Sequence, residues 1–296
     1  MKKPACFSTT IDVSLADKLK HDLAEQGFAF ETRPHAIFFA KKKNITCVLY
    51  ESGSLVVQGK EKDPFIEFYL EPEILNSFSY SYPHINVDYT PRIGVDEAGK
   101  GDYFGPLCVA GIYLDKAGIE KVLQLGVTDS KKLADKKVLS LNIELKKFPH
   151  SIISLFPEKY NELYAKFMNL NWLLGWAHAT VIENLHDKTG CQKALIDQFA
   201  SQSVVENALM RKKLSLNLHQ MHKAESDPVV AAASILARAA FLEGLEKLSE
   251  QSSYKLPKGA SDLVVKMGEK IKDQKGMDFL DRLTKKHFKT RQIILG

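Results

Sequence analysis

Two adjacent carboxylates stand at the end of an apolar segment, where they could bind a metal ion. Asp96 and Glu97 follow the apolar residues 93–95 and lead directly into a glycine-rich stretch, residues 98–101. A buried strand rarely carries unpaired carboxylates, because burying each of them costs several kcal/mol. A cation at the strand end would remove this cost. Two solvated loop acids are the alternative that the residues leave open.

The same stretch contains the beginning of a phosphate-binding P-loop pattern. Gly94, Gly99 and Lys100 satisfy the spacing G-x-x-x-x-G-K. The next residue is Gly101, whereas a P-loop carries a Ser or Thr there to bind magnesium. Two acids inside the loop would also repel the phosphates that its N–H groups should hold. We therefore exclude a nucleotide-binding P-loop.

A third acid, Asp197, follows another apolar run, residues 194–196. In α/β sheets, functional sites form at the carboxyl ends of the strands. Asp96 and Asp197 can therefore meet at one edge of the sheet, although about a hundred residues separate them. The alternative is that Asp197 only caps the turn that follows it.

Two further acids precede a predicted helix, and only one of them has a structural role there. Pro228 suits the first helical position and Asp227 the N-cap. Glu225 has no such role, and it lies at the positive end of the helix dipole, where an anion is favoured. We therefore choose Glu225, rather than Asp227, as the fourth carboxylate of the site.

A set of carboxylates without supporting His or Cys indicates a hard cation. Asp96, Glu97, Asp197 and Glu225 favour Mg²⁺ or Mn²⁺. Two such ions ~4 Å apart would activate water and stabilise the leaving oxygen in phosphodiester hydrolysis. His219 and His222 could suggest zinc, but in a strand-like segment they would point to opposite faces. The sequence therefore disfavours zinc.

The elements that must position these acids form two predicted domains. Residues 1–75 have the pattern of a small α+β unit, residues 76–91 that of a linker, and residues 92–296 that of an α/β domain. The predicted strands cover residues 6–13, 28–32, 36–40, 45–50, 55–58, 92–96, 107–114, 151–156, 193–196 and 214–218. The predicted helices lie between residues 14 and 27, from residue 63, and at residues 131–146, 170–185 and 228–248.

Composition favours a nucleic-acid-binding protein of a reducing compartment, without requiring one. The 41 Lys and Arg residues exceed the 36 Asp and Glu residues, giving a net charge of +5. The four cysteines lie far apart, with no pair at metal-ligand or redox spacing. No signal peptide and no apolar run of ~20 residues is evident. We therefore expect a cytoplasmic protein that does not span a membrane.

The chain resembles the type 2 ribonuclease H family, and most closely its HIII branch. The motifs that carry the resemblance run in order from residue 95 to residue 290. They are Val95-Asp96-Glu97-Ala98-Gly99-Lys100-Gly101-Asp102-Tyr103-Phe104-Gly105-Pro106, Thr128-Asp129-Ser130-Lys131-Lys132-Leu133, Ile196-Asp197-Gln198-Phe199, Lys223-Ala224-Glu225-Ser226, the helix residues 232–238, Leu256-Pro257-Lys258-Gly259-Ala260 and Lys286-His287-Phe288-Lys289-Thr290. Two details resemble HIII more than HII: Lys100 stands between the glycines instead of Arg, and the fourth acid is Glu225 instead of Asp.

The resemblance implies a fold, an activity and a set of site residues. The fold is an RNase H-like catalytic domain with a mixed sheet flanked by helices, preceded by a TATA-binding-protein-like domain that holds hybrid substrates. The activity is metal-dependent hydrolysis of the RNA strand of RNA–DNA hybrids, leaving 5′-phosphate and 3′-hydroxyl ends. The acids Asp96, Glu97, Asp197 and Glu225 are implied as both catalytic and metal-binding residues.

Several further residues are predicted to contact the substrate. Gly99 and Gly101 would let the backbone approach a phosphate and a ribose 2′-hydroxyl, with Lys100 as a point charge beside them. The alternative is that these residues only form a tight turn and contact no substrate. In the first domain, Lys42 and Lys43 belong to a basic turn that we predict as a phosphate contact.

A second basic segment is predicted at the start of a helix. Ser130, Lys131 and Lys132 would begin that helix, whose N-terminus is an anion site. The alternative is a solvated helix start. Either way, the three residues lie within one of the motifs that carry the resemblance.

Three functional hypotheses remain from the sequence. The first is a divalent-metal-dependent endonuclease that cuts the RNA of RNA–DNA hybrids, acting as a monomer without a small-molecule cofactor. The second is a non-catalytic module that binds such hybrids, which would have no use for clustered negative charge facing phosphates. The third is another metal-dependent nuclease or phosphatase on a related fold, in which Gly99-Lys100-Gly101 would have no obvious role. The first hypothesis explains the most residues.

Overall fold

The computed structural model describes residues 6–77, 80–81, 87–198, 203–222 and 224–296. The chain divides into two compact units, Met1–Val87 and Asp88–Gly296. Each unit has its own five-stranded sheet. The division falls inside the segment 76–91 that we predicted as a linker.

The first unit is an antiparallel sheet with helices on one face. Its strands are β1 (Cys6–Thr10), β2 (Ala29–Glu31), β3 (Ala36–Lys42), β4 (Ile45–Tyr50) and β5 (Ser54–Gly59), in the order β1-β5-β4-β3-β2. Its helices are α1 (Ala16–Glu25) and α2 (Lys62–Phe65), which continues as a π-helix over Ile66–Leu75. The four strands predicted between residues 28 and 58 are confirmed, and alternation along them places one face in the core.

The core of the first unit lies between that sheet and the helices. Its buried residues from the strands and helices include Phe38, Ala40, Cys47, Leu49, Leu55, Val57, Leu19, Leu23, Ile66 and Leu70. Tyr80 and Ser81 of the predicted linker bind back to this unit, because their backbone N–H groups donate to the buried carboxylate of Glu71 at 2.6 and 3.0 Å. Residues 78–79 and 82–86 of the linker lie outside the described residues.

The second unit contains the predicted mixed sheet. Its strands are β6 (Arg92–Ala98), β7 (Leu107–Leu114), β8 (His150–Leu155), β9 (Lys193–Asp197) and β10 (Asn217–Met221), in the order β10-β9-β6-β7-β8. β7 pairs antiparallel with both β6 and β8, whereas β9 runs parallel to both β6 and β10. This arrangement confirms a mixed sheet flanked by helices.

The helices of the second unit include three that the sequence pattern did not predict. The predicted helices are α4 (Asp135–Leu145), α6 (Leu170–Thr189) and α8 (Pro228–Ser252). The missed helices are α3 (Lys116–Gln124), α5 (Pro157–Phe167) and α7 (Ser203–Arg211). The last three helices of the chain are α9 (Asp262–Lys275), α10 (Met277–Asp281) and α11 (Lys289–Leu295). By length and apolar composition α8 could span a membrane, but 78% of its most apolar window is buried inside the protein. It is therefore a core helix.

The first turn of α8 packs directly on β6 beside the carboxylates. Asp227 is its N-cap, since the Asp227 Oδ1 atom accepts hydrogen bonds from the N–H groups of Val229 at 2.9 Å and Val230 at 3.3 Å. A Cβ atom on Gly94 would lie 2.6 Å from the Val229 carbonyl carbon and 2.7 Å from the Val230 nitrogen. Only a glycine at position 94 therefore allows this helix to approach the strand so closely.

We predict that Gly94→Ala destabilises the second unit by about 1–3 kcal/mol, because the added methyl group meets backbone that cannot move aside. Urea unfolding should show a lower midpoint for this variant. Gly101→Ala is the matched control, since a Cβ atom there would meet nothing within 4 Å. A Gly94→Ala midpoint equal to that of the unmodified chain would contradict the close packing.

Candidate active site

The sheet brings three of the predicted acids to one edge. The parallel register pairs Val95 of β6 with Ile196 of β9. The next residue on each strand is therefore Asp96 and Asp197, and both stand at the carboxyl ends of their strands. Sequence separation is overcome here by parallel pairing, as we predicted from the two apolar runs.

The charge on Asp96 is strongly opposed by its surroundings. Burial raises the pKa of the Asp96 carboxyl well above its ordinary value, and the carboxylates of Glu97 and Asp197 raise it further. The Glu97 backbone N–H, which donates to Asp96 Oδ1 at 2.8 Å, and the Lys131 ammonium act in the opposite direction. A buried carboxyl beside two further carboxylates has the oxygen donors that a divalent cation such as Mg²⁺ prefers.

Glu97 is held by two cationic or potentially cationic partners. His178 Nε2 lies 3.2 Å from Glu97 Oε2, and Lys100 Nζ lies 3.4 Å from Glu97 Oε1. Burial would raise the pKa of Glu97, but the His178 and Lys100 contacts outweigh it and hold that pKa below its ordinary value. His178 lies on α6, and we did not predict it as a site residue. Its only sequence signal is a His in the middle of an apolar helix.

Glu225 follows directly on a residue that contacts Asp197. Asp197 Oδ1 accepts a hydrogen bond from the Ala224 backbone N–H at 3.1 Å, and Glu225 is the next residue, in a 3₁₀ turn over Ala224–Ser226. In the part of the chain that the structure describes, no three side chains of His, Cys, Asp or Glu converge as a metal site. Asp96, Glu97 and Asp197 are thus neighbours, and the place of Glu225 among them stays a prediction.

Asp227 has two structural roles: it caps α8 and it binds Arg92. In addition to capping α8, its Oδ2 atom accepts hydrogen bonds from Arg92 Nε at 3.1 Å and from an Arg92 terminal nitrogen at 2.6 Å. The Arg92 side chain is buried, and its other terminal nitrogen donates to the backbone carbonyls of Asp88 and Thr90. The structural role that we predicted for Asp227 is therefore larger than a cap.

The two glycines around Lys100 are required for different reasons. Gly99 has a φ of +83°, and a Cβ atom there would lie 2.2 Å from the Pro106 carbonyl oxygen. Gly101 is exposed and faces open space, so nothing inside the protein requires it to be a glycine. The turn thus has one glycine that the fold requires and one that it does not, and the contact of Gly101 with substrate stays a prediction.

The segment after this turn is anchored by distant parts of the chain. Asp102 Oδ1 accepts a hydrogen bond from the Gly259 N–H at 2.6 Å. The fully buried Lys285 ammonium donates to the carbonyl oxygens of Asp102 and Gly105, each at 2.7 Å. Burial lowers the pKa of Lys285 to about 7. We did not predict Lys285, because an isolated lysine carries no signal of burial in the sequence.

Our interpretation of Ser130, Lys131 and Lys132 as a helix start with free N–H groups is wrong. They form a separate 3₁₀ turn, and α4 begins only at Asp135. Asp129 caps the turn, with its Oδ1 accepting from the Lys131 N–H at 2.9 Å and its carbonyl accepting from the Lys132 N–H at 3.0 Å. These N–H groups are therefore occupied, and only the two exposed lysine side chains can meet an anion.

In the first unit, the basic turn divides into lysines with and without partners. Lys42 Nζ donates to the Gln26 carbonyl at 2.8 Å, beyond the last turn of α1, and Lys41 pairs with Glu31. Lys43 is exposed and makes no ion pair within the described ranges. Of the two predicted phosphate contacts, Lys43 is therefore the more available.

Comparison with known proteins agrees with this geometry. Residues 93–291 match the sequence model of the family described as Ribonuclease HII, and residues 9–81 match one described as Domain of unknown function (DUF3378). A protein of Protochlamydia amoebophila named ribonuclease HIII is 52% identical and covers 98% of this chain and 97% of its own length. A ribonuclease HIII of Chlamydia pneumoniae is 47% identical and covers 97% of each chain.

Solved structures extend the likeness to the whole fold. The crystal structure of Bst-RNase HIII in complex with Mn²⁺ matches with a TM-score of 0.68 at 28% identity, covering 98% of both chains. The Aquifex aeolicus RNase H3 structure matches with a TM-score of 0.56 at 28% identity, covering 94% of this chain and 98% of its own. These findings confirm the predicted fold class and divalent-metal chemistry. The chain belongs to the ribonuclease HIII family, divalent-metal-dependent endonucleases that act on the RNA strand of RNA–DNA hybrids.

Proposed function

We propose that this chain hydrolyses the RNA strand of RNA–DNA hybrids at the carboxylates where β6 and β9 end. The observation that carries the proposal is the parallel register that sets Asp96 beside Asp197, with Glu97 adjacent. Substrate phosphates would be repelled by this group unless cations lay between them. The site therefore suits a metal-dependent nuclease better than a module that only binds nucleic acid.

Asp96, Glu97, Asp197 and Glu225 would hold the metal ions. When bound, Mg²⁺ or Mn²⁺ supplies the positive charge that activates water and stabilises the leaving oxygen. Cleavage of the bond between the phosphorus and the ribose 3′ oxygen would leave 5′-phosphate and 3′-hydroxyl ends. His178 orients the Glu97 carboxylate through its contact at 3.2 Å.

Substrate recognition would use the glycine turn and the lysines beside it. Gly101 faces open space, so a ribose or a phosphate can approach its backbone closely. Lys100 and the exposed Lys131 and Lys132 supply positive charge near the acids, and Lys131 is close enough to lower the pKa of Asp96. Ser130 is buried, and its N–H faces Ser234 Oγ of α8 at 3.4 Å, so it would hold the turn rather than touch substrate.

The first unit would bind substrate independently of the acids. Residues 1–60 hold nine Lys and Arg residues against six Asp and Glu residues, an excess of +3. The sheet face opposite the helices carries Thr46, Gln58 and Phe39, and the Arg33 guanidinium lies 3.5 Å from the Phe39 ring centroid. Lys43 stands at the end of β3 as the exposed phosphate contact.

We also propose that the enzyme acts as a monomer in the cytoplasm, without a small-molecule cofactor. All four cysteines, Cys6, Cys47, Cys108 and Cys191, are free thiols, which suits a reducing compartment. Light scattering of the purified protein would test the monomer directly.

The first prediction from these roles concerns the acids at the two strand ends. Asp96→Asn and Asp197→Asn should each reduce cleavage of a labelled hybrid more than tenfold, since one metal ligand is worth at least ~1.4 kcal/mol of barrier. Hybrid binding and the melting temperature should change little. If a variant retains more than about a tenth of the activity, the acid that it lacks is not a metal ligand.

The second prediction separates Glu225 from Asp227. Glu225→Gln should lose cleavage while its unfolding free energy stays nearly unchanged. Asp227→Ala should spare most of kcat but cost more than the ~1 kcal/mol of a lost cap, because Arg92 would remain buried without its carboxylate. Asp227→Asn, which can still cap, is the matched control for the ion pair. The reverse pattern of activity and stability would show that Asp227 is the ligand.

The third prediction concerns the first unit. Deleting residues 1–87 should raise KM and the hybrid Kd much more than it lowers kcat, because the acids lie in the second unit. Hybrid affinity should also depend less steeply on salt, since fewer counterions are released. Lys43→Gln should reduce the salt slope by about one, and Lys42→Gln by less. A truncated, folded chain with unchanged affinity and slope would show that this unit does not bind substrate.

A further inference from the structure

The only two tryptophans of the chain, Trp172 and Trp176, line one cavity. The cavity has a volume of about 530 Å³ and lies between the start of α6 and helix α7. The two helices touch at Gly175, where a Cβ atom would lie 2.7 Å from Val204 Cγ1. Phe167, at the end of α5, forms a third aromatic wall, with its ring centroid 6.2 Å from that of Trp176.

Trp172 presents an unusually large apolar surface to solvent. It is 59% exposed, although indole gains more from burial than most side chains. Neither indole N–H donates a hydrogen bond to any residue in the described ranges. An exposed, rigid aromatic face at the mouth of a cavity is the kind of surface on which a planar ligand stacks.

The other wall of the cavity is basic. Arg211 and Lys212, at the end of α7, line it. Lys212 is neutralised by Glu183 at 2.5 Å, whereas Arg211 makes no ion pair among the described side chains. The adjacent Lys213 is exposed as well. A ligand that combines a flat apolar ring with a nearby negative charge complements these walls.

Two segments of the chain lead from the residues that line the cavity to the carboxylates. Trp172 and His178 are six residues apart on α6, a rise of about 9 Å, and His178 contacts Glu97. Helix α7 follows β9, which ends at Asp197. The cavity and the acids are therefore connected through α6 and through the segment between β9 and α7.

We propose that this tryptophan cavity binds an unpaired nucleobase of a single-stranded segment flanking the hybrid. The base would stack on Trp172, and the adjacent phosphate would lie at Arg211. A base inside the hybrid would have to leave its stack and its pair at a cost of a few kcal/mol, which an unpaired base avoids. The proposal rests on the proposed function, because it assumes that nucleic acid occupies the neighbouring acids.

Intrinsic fluorescence tests the proposal, since every tryptophan of the chain lies in this cavity. The full-length Asp96→Asn variant, which should bind hybrid without cleaving it, would be titrated in Mg²⁺ with a blunt RNA–DNA hybrid and with the same hybrid carrying an unpaired DNA extension. We expect the extended hybrid to quench tryptophan emission and to bind about fivefold or more tightly than the blunt one. Emission that does not respond to either oligonucleotide, or responds equally to both, would overturn the proposal.

Variants locate the effect. Trp172→Ala should abolish the advantage of the extended hybrid, and Trp172→Phe should retain part of it. Met210→Ala is the matched control, because Met210 is a 64% exposed apolar residue of α7 outside the cavity lining. If Trp172→Ala keeps the full advantage, the proposal fails.

Cleavage of the blunt hybrid with Mg²⁺ keeps this test separate from the proposed function. Trp172→Ala should cleave that substrate as the unmodified chain does. Absence of cleavage in the unmodified chain would contradict the proposed function, whereas cleavage without any effect of the extension would contradict only the tryptophan cavity.

Discussion

Carboxylates at the ends of β6 and β9 repel one another, and the rest of the second unit must hold them together against that repulsion. Parallel pairing fixes the two strand ends at the same level. His178 and Lys100 stabilise the charge on Glu97. The Glu97 N–H and Lys131 do the same for Asp96, but burial and the neighbouring carboxylates outweigh them and raise its pKa. The fold therefore maintains an arrangement that is electrostatically costly by itself. A divalent cation is the partner that converts this cost into binding energy.

The two acids at the start of α8 differ in whether the fold already uses their carboxylates. Asp227 is fully engaged, since it caps the helix and binds the buried Arg92. Glu225, two residues earlier, has no such engagement with any residue that the structure describes. Two acids with similar sequence surroundings thus differ in whether their lone pairs are already used. The same distinction applies to the glycine turn, where the fold requires Gly99 and leaves Gly101 open.

The sequence predicted most of the fold and the proximity of Asp96 to Asp197, but few of the residues that contact these acids and the turn beside them. Strands with clear alternation or apolar runs were found, because their signals lie within five to eight residues. Helices α3, α5 and α7 were missed because each is only 9 to 11 residues long and buries only two or three residues, so each leaves a short apolar pattern in the sequence. His178 and Lys285 act on residues 81 and 180 or more positions away, so local patterns could not reveal them. The 3₁₀ turn at Ser130 was mistaken for the start of a helix because an acid that can cap a helix, Asp129, precedes it.

The parallel pairing of β6 with β9 also has a kinetic consequence. Three of the pairings in the first unit join strands that are neighbours in sequence, so its sheet needs mostly short loops to close. The central pairing of the second unit must close a loop of about a hundred residues before any of its hydrogen bonds form. Non-local pairing of this kind is slow to form. We therefore expect Asp96 and Asp197 to come together late in folding, and a partly folded chain would lack the arrangement on which hydrolysis depends.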